Sequence, residues 1–308
     1  MKQLLFIFFA LFAFAGCNGD FFDSEIELPT PEHDPVLAIS GFITSTDQDF
    51  IAVKVTRTYG LFEERPYDDR IFDATVELFE DDNLLYTFDT IDFQEANYYQ
   101  LLQEPFGGFG KNYELRVSHP DLGTATAKQT MLQPVPLSEI TFNPIASNDF
   151  SGTDGEFKIV LNDPPNEENF YELVAQKVCT YTYIDYYGNE ITEEYPETIY
   201  FDMDMTSNPN ITQGYNYEAI LLSDKNFDGQ TFTFRPKFYT CGGHLDQETT
   251  FTVYWRTVTK DYFNYSKSLF DTEMAQNNPF AEPVSLYTNV DGGVGGFCMR
   301  SELVYEVE

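Results

Sequence analysis

Positively charged residues are scarce in this chain, which carries 17 Lys and Arg against 51 Asp and Glu in 308 residues. The formal net charge is −34. A nucleic-acid-binding protein presents a basic patch or stripe to the phosphates, whereas a chain this acidic repels them, so we expect no nucleic-acid partner. The same charge argues against direct adhesion to anionic headgroups. Two interpretations stay open: solubility outside the cell, and the binding of divalent cations or of a basic partner.

Signatures of catalysis are also missing. The three histidines, His33, His119 and His244, lie far apart, and none has a partner at the spacing of a zinc site. There is no Gly-x-Ser-x-Gly motif of a hydrolase nucleophile. The glycine-rich run 292–296 is not a phosphate loop, because no Lys-Ser or Lys-Thr pair follows it. It instead favours close backbone packing or a flexible turn. We assign no catalytic residue and expect a protein that is not an enzyme.

Long apolar runs are absent except near the start, where eleven apolar residues (4–14) follow a single cation, Lys2. A transmembrane helix needs about 20 apolar residues, but a run of this length suits the core of a signal peptide. Two small residues precede Cys17, which is typical of a bacterial lipoprotein signal. We predict cleavage after residue 16 and lipidation of Cys17, with an ordinary signal peptide as the alternative.

Residues 17–35 combine acidic residues with prolines, a composition that disfavours regular structure, and we interpret them as a tether. Acidic residues directly after the lipidated cysteine resemble the surface-export signal of Bacteroidota lipoproteins. We therefore predict a protein that is lipid-anchored to the outer membrane and exposed at the cell surface. A solvated spacer that faces the periplasm is the alternative.

Cysteine is rare as well. Beyond Cys17 the chain has Cys179, Cys241 and Cys298, and none of them has metal-site spacing. An exported protein meets an oxidising compartment, and an odd number of cysteines allows one disulfide with one thiol left over. We prefer the pair Cys179–Cys241, because both residues lie in or beside predicted strands.

Short segments with period-two alternation of apolar residues predict a mostly β protein. Ile51, Val53 and Val55, for example, fall on one face of a predicted strand. About seven such strands over residues 36–133 predict an N-terminal β-sandwich of immunoglobulin-like or transthyretin-like type.

A proline-containing segment, residues 133–136, is stiff and extended and suggests a domain boundary. Residues 134–308 then predict a second β-rich sandwich domain. One helix is expected there, over residues 261–274, because its tyrosines and apolar residues form a connected stripe.

One loop resembles half of a calcium site. Asp224, Asn226 and Asp228 occupy the first, third and fifth positions of a calcium-binding loop, where side-chain oxygens ligate the ion. Arg235 stands at the twelfth position, which requires a bidentate acid. A hairpin turn at Asp228-Gly229 is the alternative, since Asp-Gly is a strong turn signal.

A predicted hairpin near residues 179–200 is rich in tyrosine. Tyr181 and Tyr183 fall on one face of a strand, and Tyr186 and Tyr187 fall at the turn. These rings can stack on a glycan or contact a protein partner, or they can simply cover the sandwich.

Several segments together resemble the Bacteroidota outer-membrane lipoprotein family known as domain of unknown function 4249. They are the helix and the stretches 39–43, 163–165, 223–229, 278–284 and 287–297. The resemblance spans nearly the whole mature chain. It implies an outer-membrane lipoprotein of unassigned activity, often encoded beside TonB-dependent transporters of the starch-utilisation type, and it supplies no catalytic residues.

The expected function is that of a non-catalytic accessory subunit for nutrient uptake, associated with a TonB-dependent transporter and possessing a glycan or peptide ligand. Two alternatives are a hydrolase of glycans or peptides that uses paired carboxylates, and a structural or adhesion protein of the envelope. Carboxylates are too numerous for any one pair to be selected from the sequence.

Overall fold

The computed structural model describes residues 32–46, 51–93, 96–101, 108–145, 155–202, 208–214, 218–240, 249–276, 280–282 and 284–308. Within them the chain is mostly β, with one helix, as predicted. The strands are Leu37–Thr44 (β1), Ile51–Arg57 (β2), Thr75–Glu80 (β3), Asn83–Thr87 (β4), Asp89–Phe93 (β5), Ala96–Leu101 (β6), Asn112–His119 (β7), Gly123–Thr130 (β8), Leu137–Pro144 (β9), Gly155–Asn162 (β10), Phe170–Ile184 (β11), Glu190–Thr198 (β12), Tyr200–Phe201 (β13), Ile211–Gln213 (β14), Ala219–Ser223 (β15), Thr231–Phe234 (β16), Lys237–Tyr239 (β17), Phe251–Val258 (β18), Val290–Asp291 (β19) and Gly293–Val307 (β20). The helix α1 spans Lys260–Gln276.

The described strands form three sheets. The largest has the order β14-β15-β11-β18-β20-β1-β2-β6-β5, with β12 also paired to β11. A second sheet runs β13-β17-β10-β16 with β9 on β10, and a third runs β19-β8-β7-β3-β4. The strand alternation predicted from the sequence is present, since Ile51, Val53 and Val55 are all buried.

The long C-terminal strand β20 is the centre of the largest sheet. It pairs in parallel with β1 and antiparallel with β18. A Cβ atom on Gly295, whose φ is +107°, would lie 2.0 Å from the carbonyl oxygen of Ile39, and one on Gly296 would lie 2.8 Å from the Tyr265 ring. The glycine-rich run therefore permits close backbone packing, the first of the two roles expected for it.

The described residues form two large hydrophobic cores. One core draws on residues 37–131 together with Val290, Phe297 and Met299, and the other on residues 137–253 with Trp255 and Val307. Because the largest sheet includes strands from both regions, their division into separate domains at residues 133 and 134 stays a prediction.

The proline-containing segment at that boundary is packed against the body. The indole N–H of Trp255 donates to the carbonyl of Val135 (2.8 Å), and the Val135 amide donates to the Thr257 hydroxyl (2.9 Å). Trp255 itself is fully buried and stacks on Tyr171 with ring centroids 5.2 Å apart. Both backbone hydrogen-bonding groups of Val135, its amide and its carbonyl, are therefore bonded to the body of the protein.

Helix α1 begins one residue earlier and ends two residues later than predicted. Thr259 caps its start, since the amides of Tyr262 and Phe263 donate to the Thr259 hydroxyl and carbonyl. A third apolar cluster lies beneath the helix and includes Tyr262, Tyr265 and Cys298.

The described residues of 35–58 and 66–308 belong to one compact unit, and residues 32–34 and 59–65 belong to another. In the smaller unit a turn is closed by two hydrogen bonds of 3.0 Å between Gly60 and Glu63. Leu61 and Phe62 are exposed on this turn.

Candidate functional site

The hairpin formed by β11 and β12 extends beyond the pairing of the largest sheet. Strand β11 pairs with β18 as far as Lys177, whereas its pairing with β12 runs from Gln176 to Ile184. Among the described residues, β12 pairs with no other strand. We call residues 178–198 the aromatic arm. Its tyrosines are exposed.

The turn of the aromatic arm is fixed by one carboxylate. Asp185 accepts hydrogen bonds from the amides of Tyr187 and Asn189 (2.8 Å each) and from the Asn189 side chain (2.9 Å). These hydrogen bonds hold the pKa of Asp185 below its usual value, the side chain of Asn189 contributing most. Gly188 completes the turn at a φ of +83°. Tyr186 and Tyr187 stand at the tip, 97% and 85% exposed.

One face of the aromatic arm combines tyrosines with glutamates, and we call it the Tyr–Glu face: Tyr181, Tyr183, Tyr195, Glu193 and Glu197. The Tyr181 hydroxyl donates to Glu197 (2.5 Å), and the hydroxyls of Tyr183 and Tyr195 both donate to Glu193 (3.1 and 2.5 Å). These acceptors raise the pKa of all three phenols. The rings are therefore oriented by carboxylates that are themselves partly exposed.

The structure brings together the predicted tyrosines in two places. Tyr181 and Tyr183 lie on the Tyr–Glu face, and Tyr186 and Tyr187 lie at the tip. Sequence reasoning did not select the two glutamates, because their position opposite the tyrosines depends on the register of the hairpin. The five-residue turn Asp185–Asn189 is the signal from which that register follows.

Cys179 lies near the base of the same arm. Cys179 is disulfide-bonded, and Cys298 is a free, buried thiol. Cys241, the partner predicted from the sequence, lies outside the described residues, so this pairing stays a prediction. Cys17, the predicted site of lipidation, also lies outside them.

The predicted calcium loop meets a second loop. Carboxylate oxygens of Asp224 and Asp228 lie within 4.8 Å of one another and of Asp163, which sequence reasoning did not include. The side chain of Asn226 is not part of this group, and its amide nitrogen donates a hydrogen bond to the side-chain oxygen of Asn210 (2.6 Å). Calcium stays a prediction here.

The three carboxylates already join two loops through hydrogen bonds. Asp163 accepts from the Tyr171 hydroxyl (2.5 Å) and the Gly229 amide (2.9 Å). Asp224 accepts from the amide of Asn169 (2.7 Å), and Asp228 accepts from the amide of Asn166 (2.9 Å). Burial, followed by the charge of Asp163, raises the pKa of Asp224.

The spacing of this group bears on the hydrolase alternative. Paired carboxylates of glycosidases stand about 5–10 Å apart around the scissile bond. One carboxylate oxygen from each of Asp163, Asp224 and Asp228 lies within 4.8 Å of the other two. Oxygens clustered in this way suit an oxygen-ligated cation, and the hydrolase alternative stays a prediction.

A buried ionic network lies where α1 meets the largest sheet, and nothing in the sequence pattern pointed to it. Glu172 accepts from Arg256 (2.7 Å), Arg300 (3.4 Å) and the Tyr262 hydroxyl (2.6 Å). Arg256 also donates to Glu302 (2.7 Å). Each charge has an opposite partner, so the network fastens β11, β18, β20 and α1 together.

A cavity of about 660 Å³ opens beside the start of α1, and Asp81, Asp82, Glu114, Lys128, Gln129, Glu168, Phe170, Thr259, Lys260 and Asp261 are among the residues that line it. Its charged groups are mostly paired with each other. Lys128 pairs with Glu114 (3.2 Å), and Lys260 pairs with Glu168 (2.7 Å). The buried Gln129 donates to Asp261 and accepts from Thr259.

These features define a sandwich-like, mostly β protein with an exposed aromatic arm. Among the described residues, no helix combines the length and the apolar character that crossing a membrane requires. The chain belongs to the family described as Domain of unknown function (DUF4249), whose model matches residues 23–304. A search of curated proteins finds no match to the chain.

Proposed function

We propose that this protein is a surface-exposed outer-membrane lipoprotein of Bacteroidota. In this proposal it is a non-catalytic accessory subunit that works beside a TonB-dependent transporter in nutrient uptake. It binds by shape and contact, and the lipid on Cys17 keeps it near the transporter.

The membrane placement is supported by the start of the chain. The apolar run 4–14, the small residues before Cys17 and the acidic tether 17–35 have the order of a lipoprotein signal and spacer. Lipid chains supply about 0.8 kcal/mol of anchoring per buried CH₂, so several chains hold a protein firmly on a bilayer. The family membership agrees with the resemblance from which the transporter association was drawn.

The exposed aromatic arm is the feature that most supports a role in binding rather than in catalysis. A tip with two nearly fully exposed tyrosines, held by three hydrogen bonds to Asp185, is a preorganised contact surface. Tyrosine supplies a large contact area at low entropic loss, because it has few rotatable bonds. Confinement to one membrane raises the local concentration of both partners, so weak contacts suffice.

The test is affinity purification of the tagged lipoprotein from outer membranes solubilised in mild detergent, with partners identified by mass spectrometry. We expect a TonB-dependent transporter in stoichiometric amount. Tyr186→Ala with Tyr187→Ala should reduce its recovery at least about fivefold, since exposed tyrosines are frequent hot spots. The matched control is Tyr67→Ala with Phe280→Ala, which removes two rings that are equally exposed elsewhere.

Two results would count against this proposal. Recovery of the lipoprotein alone, at wild-type abundance, would remove the accessory role and favour independent glycan binding, adhesion or catalysis. Equal recovery of the transporter with tip and control variants would keep the partner but remove the tip from the contact.

A further inference from the structure

The Tyr–Glu face carries negative charge that the described residues do not neutralise. Residues 178–198 contain five acidic residues and no Lys or Arg. Lys177, at the base of the arm, lies opposite Glu197 in register. Among the described residues, neither Glu193 nor Glu197 forms an ion pair, and both accept hydrogen bonds from tyrosine hydroxyls.

Glutamates elsewhere on the sheets have a different environment. Glu114 pairs with Arg116 (2.7 Å) and Lys128 (3.2 Å), and Glu156 pairs with Arg235 (3.0 Å). The two glutamates of the Tyr–Glu face instead accept hydrogen bonds from tyrosine hydroxyls. Glu193 lies opposite Tyr181 in register, and Lys177, which lies opposite Glu197, forms no ion pair with it. Each of the two glutamates has two carboxylate oxygens with several acceptor positions, of which the tyrosine hydroxyls use only a part.

We propose that the Tyr–Glu face binds a basic, extended segment of a partner protein. The Lys or Arg side chains of that segment lie over Glu193 and Glu197 and against the rings of Tyr181 and Tyr195. This inference rests on the proposed function and names the chemistry of the partner at this one surface.

The rings contribute a second attraction for cations. Tyr181 and Tyr195 are 40% and 48% exposed, with centroids 6.5 Å apart and planes tilted by 44°. A guanidinium or ammonium group within about 6 Å of such a ring is attracted by its quadrupole. A cation placed here meets aromatic faces and carboxylates together, whereas a neutral sugar would leave the charge unused and an acidic partner would be repelled.

The spacing of the glutamates predicts the form of the segment. Glu193 and Glu197 are four residues apart on strand β12, which corresponds to about 13 Å in an extended chain. An extended segment with cations at positions i and i+4 therefore reaches both carboxylates from one side. Segments with cations at i and i+3 direct them to opposite sides, because side chains alternate along a strand.

The experiment uses a short synthetic peptide, capped at both ends, with arginines at its second and sixth positions in a Thr and Ser background. Fluorescence anisotropy measures its binding to the mature lipoprotein in non-ionic detergent. Glu193→Gln with Glu197→Gln should weaken binding at least about fivefold, as expected for two exposed charge contacts. Higher ionic strength should weaken binding to the wild type and affect the variant less.

Three further double variants separate binding at this face from a general effect of charge. Glu190→Gln with Glu194→Gln removes the same charge from the opposite face of β12 and should change the affinity less than about twofold. Tyr181→Phe with Tyr195→Phe keeps the rings and should retain binding, whereas replacing both by Leu should lose it. All of these sites are exposed or half-buried, and unchanged thermal unfolding confirms that each variant is folded.

Three outcomes would overturn the proposal. One is equal binding of the arginine peptide and a peptide with neutral citrulline in its place. Another is equal weakening by both pairs of glutamate substitutions, which would indicate a nonspecific effect of net charge. The third is binding of a neutral oligosaccharide at the Tyr–Glu face in preference to the peptide.

The experiments distinguish a failure of binding at the Tyr–Glu face from a failure of the proposed accessory function. If Glu193→Gln with Glu197→Gln still co-purifies the transporter and no variant alters peptide binding, the accessory role stands and this surface is wrong. If peptide binding follows the expected pattern but no transporter co-purifies, the surface stands and the transporter association is wrong.

Discussion

Replacing Glu172 by Gln should test whether the buried ionic network holds the helix to the sheet. The side chain of Glu172 is almost fully buried and faces Arg256 at 2.7 Å, Arg300 at 3.4 Å and the Tyr262 hydroxyl at 2.6 Å. Glutamine has nearly the same size, so the change removes charge and leaves packing intact. The new amide nitrogen is a hydrogen-bond donor that faces other donors. Loss of the Glu172 charge also leaves the buried guanidinium of Arg256 with a single carboxylate, that of Glu302.

The expected loss of stability follows from burial. Removing one partner of a buried ion pair costs about 3–5 kcal/mol, because the remaining charge stays desolvated. Arg256 retains Glu302, and Arg300 is 22% exposed, so we expect the lower end, about 3 kcal/mol. At roughly 2–4 °C per kcal/mol for a chain of this size, the melting temperature should fall by about 6–12 °C.

The control is Glu168→Gln, the same substitution in an exposed pair with Lys260 at the start of α1. Exposed pairs contribute about 0–1 kcal/mol, so this variant should melt within about 4 °C of the wild type. Differential scanning calorimetry measures both. Equal melting temperatures for the two variants would refute the argument that burial makes the Glu172 network a strong stabilising feature.

The same variant has a predicted pH dependence. Burial alone would raise the pKa of Glu172, but Arg256 and Arg300 outweigh it, and the net pKa lies below the usual value. A lowered pKa means that the carboxylate stabilises the fold above the unfolded pKa and that this stabilisation is lost as the pH falls through the folded pKa. The difference in unfolding free energy between wild type and Glu172→Gln should be full near neutrality and shrink below about pH 4.

Further predictions concern the backbone and two titrating groups. In urea titration, Gly295→Ala should lower the free energy of unfolding by more than Gly123→Ala does. The new Cβ lies 2.0 Å from a backbone atom at position 295 and in open space at position 123. Equal losses of stability would contradict this prediction. The raised pKa of Asp224 means that wild-type stability should fall as the pH rises above the usual Asp pKa, and Asp224→Asn should remove that part of the fall in thermal melts. Burial raises the pKa of the Cys298 thiol, so peptide mapping should find this thiol alkylated only after unfolding.

Most strands follow from period-two alternation, because their apolar faces are buried in the cores. Strand β20 does not show that pattern. It begins with glycines and is buried on both faces at its centre, so its residues 297–299 are all apolar or sulfur-containing without alternation. Its parallel partner β1 lies about 250 residues earlier, and no local signal in the sequence encodes so distant a pairing.

The candidate site residues also divide into those that local sequence signals predict and those that depend on the fold. The tyrosines of the aromatic arm were predicted, since a turn signal and alternation are local properties. Asp163 was missed at the acidic cluster because it lies 61 residues before Asp224, in a loop that meets the second loop only in the folded chain. Glu193 and Glu197 were missed for a related reason, since cross-strand register decides which acids face the rings.

The distribution of the few cations explains why the aromatic arm matters in so acidic a chain. Arg256 and Arg300 neutralise the buried carboxylates of Glu172 and Glu302, and several lysines and arginines pair with glutamates on the sheets and around the cavity. With only 17 cations for 51 acidic residues, those placed where burial demands a partner are not available elsewhere. Glu193 and Glu197 tolerate the lack of an ion pair because they are partly solvated and accept hydrogen bonds from tyrosine hydroxyls. A partner that brings cations to the Tyr–Glu face therefore adds ion pairs that the described residues do not form there.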